Sequence, residues 1–364
     1  MDKISHIWSR VQRSLFPQLK ECLPELTKEH MRLATILEVI RIEDHIPSGN
    51  NWYGRKPSDR TVLARAFIAK VVYKIPANNM LIDRLVADKN IRIICGWEYP
   101  GQVPSESTFS RAFAKFADSG LTNKVHEALV KEHLSDDVVW HVSRDSTAIE
   151  AREKPARKDK KENESVEQKR RRGRPKKGEE RPPVEDKRLV RQRKQTAEEA
   201  LAELPCICDT GTKKNSKGYK TSWVGYKFHI DVCDGDIPIF AVTTSASLHD
   251  SQAAIPMAKV SAGRVNSLYD LMDAAYDAKE IHEVSRELGH VPIIDANGRR
   301  SKAVPMEPDR ARRYNNRSSA ERVNSRLKDD CGGRMIRVRG GPKVHTHLMF
   351  GLLVIFAEAI LGLL

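Results

Sequence analysis

The sequence predicts an α/β protein: a mixed sheet flanked by helices, with an all-helical region ahead of it and a basic segment set into it. Three observations carry this. Residues 1–136 place apolar residues at three- and four-residue steps, the helical period. Residues 137–313 alternate short β-branched runs with amphipathic helical stretches, the pattern of a sheet with helices packed on it. From Ala151 to Ala200 the composition shifts: nineteen Lys and Arg face eleven Asp and Glu, and aromatic residues are absent.

The chain has 364 residues, enough for two or three domains at about 100–200 residues each. Its net charge of +14 calls for a polyanionic partner, nucleic acid or an acidic membrane. Six cysteines are too few for a disulfide framework and the start does not read as a signal peptide, so a cytoplasmic, nucleoid-associated protein is expected. The apolar run from His347 to the end holds Glu358. It reads as a buried core helix rather than a membrane span.

In residues 1–136, six helical stretches are predicted: WSRVQRSL, EHMRLATILEVIRI, DRTVLARAFIAKVVYKI, NMLIDRLVADKNIRIICG, STFSRAFAKFADSG and TNKVHEALVKEHL. Ser105 or Ser107 can cap the fifth, whose apolar stripe is Phe109, Phe113 and Phe116. Ser110, Arg111 and Lys115 then lie off that stripe. A capped helix with basic exposed residues fits a helix-turn-helix reader of DNA and equally an ordinary helical bundle. The run DDVVWHVSRDST is a predicted strand ending at Asp145, with His141, Ser143 and Asp145 on one face and Val142 and Arg144 on the other.

Residues 151–220 form a basic insertion. With little apolar surface to bury, it is expected to be disordered or a solvated helical arm. At its centre, Arg172-Gly173-Arg174-Pro175 resembles an AT-hook. Gly and Pro keep the backbone slim, and Arg172 and Arg174 could enter a narrow A·T minor groove. A polybasic linker making only phosphate contacts accounts for the same residues. Beyond it, TSWVGYKFHIDVCDGDIPIFAVTTSAS reads as a β-hairpin turning at Asp-Gly-Asp. A helix starting at Asp250 or Ser251, a strand within SLYDLMDAAYD with Asp273 near its end, a helix DAKEIHEVSRELG and a strand HVPIIDAN follow. Asp250 reads as a structural cap. Asp270, Asp273 and Asp277 all stand near the end of the first of these strands, and parity alone does not choose among them.

The stretch YNNRSSAERVNSRLK places Tyr314, Arg317, Glu321 and Lys328 at offsets of three, four and seven. On a helix of ~3.6 residues per turn these share one face. A solvated helix laced with ion pairs has the same spacing. The four residues at these gaps resemble the YREK signature of insertion-sequence DDE transposases. Asp273-Ala274-Ala275-Tyr276-Asp277 is similar to the DxxYD stretch holding that family's second catalytic aspartate. Asp145-Ser146-Thr147 matches its first aspartate and following hydroxyl residue. IRIICGWEYPGQVPSESTFSRAF is similar to the family's helical N-terminal domain.

The resemblance implies an RNase H-like catalytic domain over 137–364, interrupted by 151–220, behind a DNA-binding domain at 1–136. It implies Asp145, Asp273 and Glu321 as catalytic metal ligands. Tyr314, Arg317 and Lys328 would lie at the DNA near the cleaved phosphate. Hard carboxylate oxygens suit Mg²⁺, with Mn²⁺ able to replace it. Two such ions about 4 Å apart would serve in-line displacement at phosphorus. The expected function is a transposase that cuts the ends of an element and joins them to target DNA, acting as a homodimer on double-stranded DNA. A repressor of the same fold without catalysis and an RNase H-fold nuclease are the other readings. No membrane partner is expected.

Overall fold

A computed structural model describes residues 26–47, 58–135, 137–156, 186–214, 218–296 and 305–362. The helix read at Trp8–Leu15 and the motif carrying Arg172 and Arg174 lie outside the described residues.

Helices come first: α1 (Lys28–Ile40), α2 (Arg60–Val72), α3 (Asn78–Ala87), α4 (Lys89–Cys95), α5 (Glu106–Ser119) and α6 (Leu121–Leu134). The single helix expected over Asn79–Gly96 breaks into α3 and α4 at Asp88. The Asp88 carboxylate accepts from the backbone N–H groups of Asn90 (3.0 Å) and Ile91 (3.1 Å), so a strong N-cap starts a new helix. In α5 the stripe is as read. Phe109, Phe113 and Phe116 are buried, and Ser110, Arg111 and Lys115 are exposed. The Phe67 ring of α2 meets those three edge-on, with centroids 5.1–6.2 Å away.

The six-stranded sheet comprises β1 (Val138–Glu150), β2 (Asp209–Lys214), β3 (Lys220–Cys233), β4 (Ile237–Ser245), β5 (Asn266–Met272) and β6 (Val291–Ile294). β1 pairs antiparallel with β3 and parallel with β5, and β6 runs parallel to β5. β3 carries β4 along its second half and β2 along its first. β1 does not stop at Asp145. It runs on to Glu150 because β3 supplies hydrogen-bonding partners opposite each residue through Gly225. Asp145 therefore sits mid-strand, where its backbone is held from both ends. At Gly225 (φ +151°) a Cβ would meet the Ile149 carbonyl at 2.1 Å, so only glycine lets β3 pass from one partner to the next.

The expectation for residues 151–220 needs correction over its second half. Residues 186–214 are folded, as α7 (Arg188–Lys194), α8 (Ala197–Ala202) and β2. Gln192 and Ala200 are fully buried, and Leu201 and Leu204 pack against Leu248, Ala253 and Met257. The segment lacks aromatics, but its few aliphatic residues are spaced to dock on a neighbouring helix, α9 (Ser251–Ala262). Charge counting over fifty residues averages that signal away.

The remaining helices are α10 (Lys279–Glu287), α11 (Pro308–Tyr314), α12 (Ser318–Asp329) and α13 (Gly341–Ile360). α9 and α10 cover one face of the sheet, and α12 and α13 the other. Among the described residues α13 is long and apolar enough to cross a membrane, but it is mostly buried inside the fold. Its Phe350, Leu353 and Phe356 share one apolar core with α1–α6 and with Val139 and Val142 of β1. Glu358 in this helix is buried. It accepts from Arg32 of α1 (Nε, 2.8 Å) and from Arg326 of α12 (Nη2, 2.6 Å). A charge inside the terminal helix is thus met by two cations, one from each half of the chain.

Candidate active site

The site is built on β1, the end of β5 and α12. α12 buries Ala320, Val323 and Leu327, at three- and four-residue steps, against Tyr226, Phe228 and Ile230 of β3. That packing turns Asn324 toward Asp145 and brings Arg317 and Lys328 near enough to act on its charge, while Glu321 stays exposed. The helix expected to run unbroken from Tyr314 is interrupted. A 3-10 turn at Asn315–Arg317 joins α11 to α12, and the Ser143 hydroxyl of β1 donates to the Asn316 carbonyl at 3.1 Å within it. The YREK face survives the break. The Arg317 guanidinium lies 5.6 Å from the centroid of the Tyr314 ring and donates to Glu321 Oε1 at 2.6 Å.

Asp145 is the electrostatic centre. Burial pushes its carboxyl up to about 6, and the charge of Asp273 adds to this. The backbone N–H of Ser146, the Arg317 charge and Asn324 pull the other way. Asn324 Nδ2 donates to Asp145 Oδ2 at 3.1 Å, while its own carbonyl oxygen is buried with no partner among the described residues. Asp273 follows β5 directly and accepts from the Ala275 N–H at 2.9 Å, closing a short 3-10 turn. The Tyr276 hydroxyl is buried without a partner among the described residues and feels the charges of Asp250, Asp145 and Asp273. Lys328 feels the charge of Asp145 as well.

Glu321 differs from the two aspartates. It is 54% exposed and its carboxylate is held by Arg317. As the side chains lie, no three His, Cys, Asp or Glu among the described residues surround a point where a metal ion could sit. The donor set nevertheless fits a hard divalent cation. It offers carboxylate and amide oxygens, two like charges in close mutual influence, and buried oxygens on Asn324 and Tyr276 that nothing yet satisfies.

The competitors of Asp273 are occupied elsewhere. Asp270 is buried on the opposite face, where it accepts from the Ser285 hydroxyl (2.6 Å) and lies 3.2 Å from His290 Nδ1. Burial opposes its ionisation, but His290, Arg144 and Ser285 outweigh it and hold the carboxyl below the usual range. Asp277 lies 3.1 Å from His282 Nε2. Asp250 stands at the start of α9 as read, yet its side chain makes no cap bond. It accepts from Lys227 Nζ at 2.9 Å and is bonded to Ser146, next to Asp145. Sequence reasoning missed Asn324, Tyr276 and this Asp250–Lys227 pair. Helical spacing could have found Asn324, three residues after Glu321. The pair joins residues with no local spacing between them.

Strand order and site together define an RNase H-like α/β domain with a carboxylate-bearing centre. Residues 140–357 match the family model described as a transposase DDE domain, and residues 20–115 match a second, a transposase domain (DUF772). The chain therefore belongs to the DDE transposases. No curated protein and no solved structure matches it.

Proposed function

We propose that this transposase cuts the ends of an insertion sequence and joins them to target DNA by phosphoryl transfer, with Asp145, Asp273 and Glu321 as the catalytic carboxylates. The observation that carries the reading is Asp145: a half-buried carboxylate, mid-strand, under the charge of Asp273 and only partly compensated by Asn324 and Arg317. Mg²⁺, or Mn²⁺ in its place, is the cofactor such a centre takes, supplying charge neutralisation at the scissile phosphate and a more acidic attacking hydroxyl.

The chain's own residues do the rest. Asp145 and Asp273 hold their positions through backbone pairing and the 3-10 turn. Arg317 neutralises Glu321 in the free protein, and an arriving phosphate competes for the same guanidinium. Lys328 places a second cation where charge builds on the phosphoryl oxygens. Tyr314 braces Arg317 through its ring face. Helices α1–α6, with Arg111 and Lys115 exposed on α5, serve as the DNA-binding domain within 1–136, ahead of the catalytic domain at 137–364. Arg172 and Arg174 add minor-groove contacts. Two DNA ends have to be handled together, so the active species on DNA is a homodimer.

The test is cleavage of DNA carrying the element's ends in Mg²⁺. Asp145→Asn, Asp273→Asn and Glu321→Gln should each cut at least about a thousandfold more slowly, a loss of about 4 kcal/mol in barrier lowering, while still binding the ends. Wild-type cutting by any one variant removes that residue from the site. Supplying pre-cut ends separates joining from hydrolysis: release of hydrolysis products alone makes the protein a nuclease of this fold.

A further inference from the structure

A second feature stands beside the carboxylates. Lys328 is half-buried at the end of α12, and two further cations close on it: Arg334, from the loop after α12, and Lys213, from β2. Burial and then both of these charges oppose its protonation. Lys328 makes no hydrogen bond or close ion pair with any described residue. Arg334 is tied to Asp329 at 2.6 Å, while Lys213 and Arg337 are exposed with no ion-pair partner among the described residues.

The chain keeps these cations outward by a simple device. After a turn at Gly333-Arg334, residues 335–339 form neither helix nor strand, and buried or half-buried side chains alternate with exposed ones from Met335 to Arg339. Ile336 is buried in the core and Val338 packs against it, so Arg337 and Arg339 are turned to solvent. Arg337 in turn acts on Lys70, at the mouth of a cavity of about 420 Å³ between α2, α5 and α13. Like charges gathered this way cost stability unless a polyanion neutralises them. Lys70 and Lys213 come from elements distant in sequence from the stretch holding Lys328, Arg334 and Arg337, so helical spacing does not explain the group.

We propose that Lys213, Lys328, Arg334 and Arg337 form a phosphate-binding track that carries duplex DNA away from the catalytic carboxylates. The β2–β3 hairpin is its outer wall. This rests on the transposase reading for the identity of the polyanion, and goes beyond it in naming the path. The track explains why β2, which comes from the inserted segment, is paired onto β3 at this edge: it delivers Lys213 to Lys328. Phosphate contacts of this kind position the duplex without reading its sequence.

The experiment measures binding of the full chain to a fluorescent 30-base-pair duplex, in EDTA to prevent cutting, across a salt series. Lys213→Ala/Arg337→Ala should weaken binding roughly tenfold near 0.1 M salt and reduce the slope of log affinity against log salt by about two. Lys194→Ala/Lys279→Ala, which removes two exposed cations on the α7–α10 side, should leave the slope within about half a unit. An unchanged slope in the first variant, or an equal change in the second, overturns the track. If wild-type protein cuts its ends and the slope does not change, the track fails alone and the transposase reading stands. If the track variant loses binding and wild type never cuts, the track stands and the catalytic reading fails.

Discussion

Arg144 and Asp145 are neighbours in β1, yet they face opposite sides of the sheet and live by opposite rules. Arg144 is fully buried on the α9 side. It donates from Nε and Nη2 to both oxygens of Asp231, at 2.7 Å each, and the Ser261 hydroxyl donates to the same carboxylate at 2.6 Å. Each charge there has a matched counter-charge. Asp145, one residue on, is half-buried on the α12 side beside a like charge, with one amide N–H and a backbone N–H as its hydrogen bonds. A buried ion pair that is complete is a structural element. A half-buried carboxylate left incomplete beside another is what the proposed metal site requires.

That contrast can be broken most directly by substitution on each face. Arg144→Met strands the Asp231 carboxylate in the core and should cost about 3–5 kcal/mol of stability, lowering the melting temperature by roughly 10 °C. Arg144→Met/Asp231→Leu should cost less than the single change, since no unpaired charge remains. Asp145→Asn should melt at or above the wild-type temperature, because it removes like-charge repulsion. A thermal melt in which Asp145→Asn loses as much as Arg144→Met would erase the distinction between the faces.

Acid sharpens it next. His229, on the Arg144 face, and His126, beneath β4, are buried and neutral. Burial holds the first down to about 4 and the second to about 3, with Arg264 adding to the effect on His126. Lys227 and Arg144 also oppose protonation of His229, while Asp250 favours it. Below the ordinary histidine value of about 6.5 the unfolded chain takes up a proton at each ring that the folded chain refuses. Stability should therefore fall as pH drops from 6.5 toward 4, at about 1.4 kcal/mol per pH unit for each ring. Denaturant melts at pH 7 and pH 5 measure this, and replacing both rings with asparagine should reduce the difference by about half, since burial also holds His345 and His347 down to about 4.

The smallest expected effect belongs to Asn324. Asn324→Ala removes the amide that orients Asp145 and should slow cleavage about tenfold, near 1.4 kcal/mol. It should also weaken Mn²⁺ binding, while end binding stays intact. Cleavage at the wild-type rate together with unchanged Mn²⁺ affinity would make Asn324 a packing residue.

Much of this was legible in the chain. Periods of three and four marked α1, α2, α5 and α6, and Asp234-Gly235-Asp236 marked the β3–β4 turn, where Gly235 and Asp236 take positive φ. The spacing of Arg317 and Glu321, four residues apart, marked the pair that forms, because a helix converts sequence offsets into directions. The end of β1 was misread, since a strand's length depends on a partner elsewhere. The folding of residues 186–214 was missed for a similar reason: its few aliphatic residues matter only once α9 is in place.

Local offsets by themselves determined which elements form and which side chains share a face, for those depend on backbone geometry over a few residues. Tertiary structure alone decided that Arg144 meets Asp231 and that Asp250 meets Lys227. Those pairings join positions tens of residues apart or more, and only the strand register and the docking of helices bring them within reach of one another.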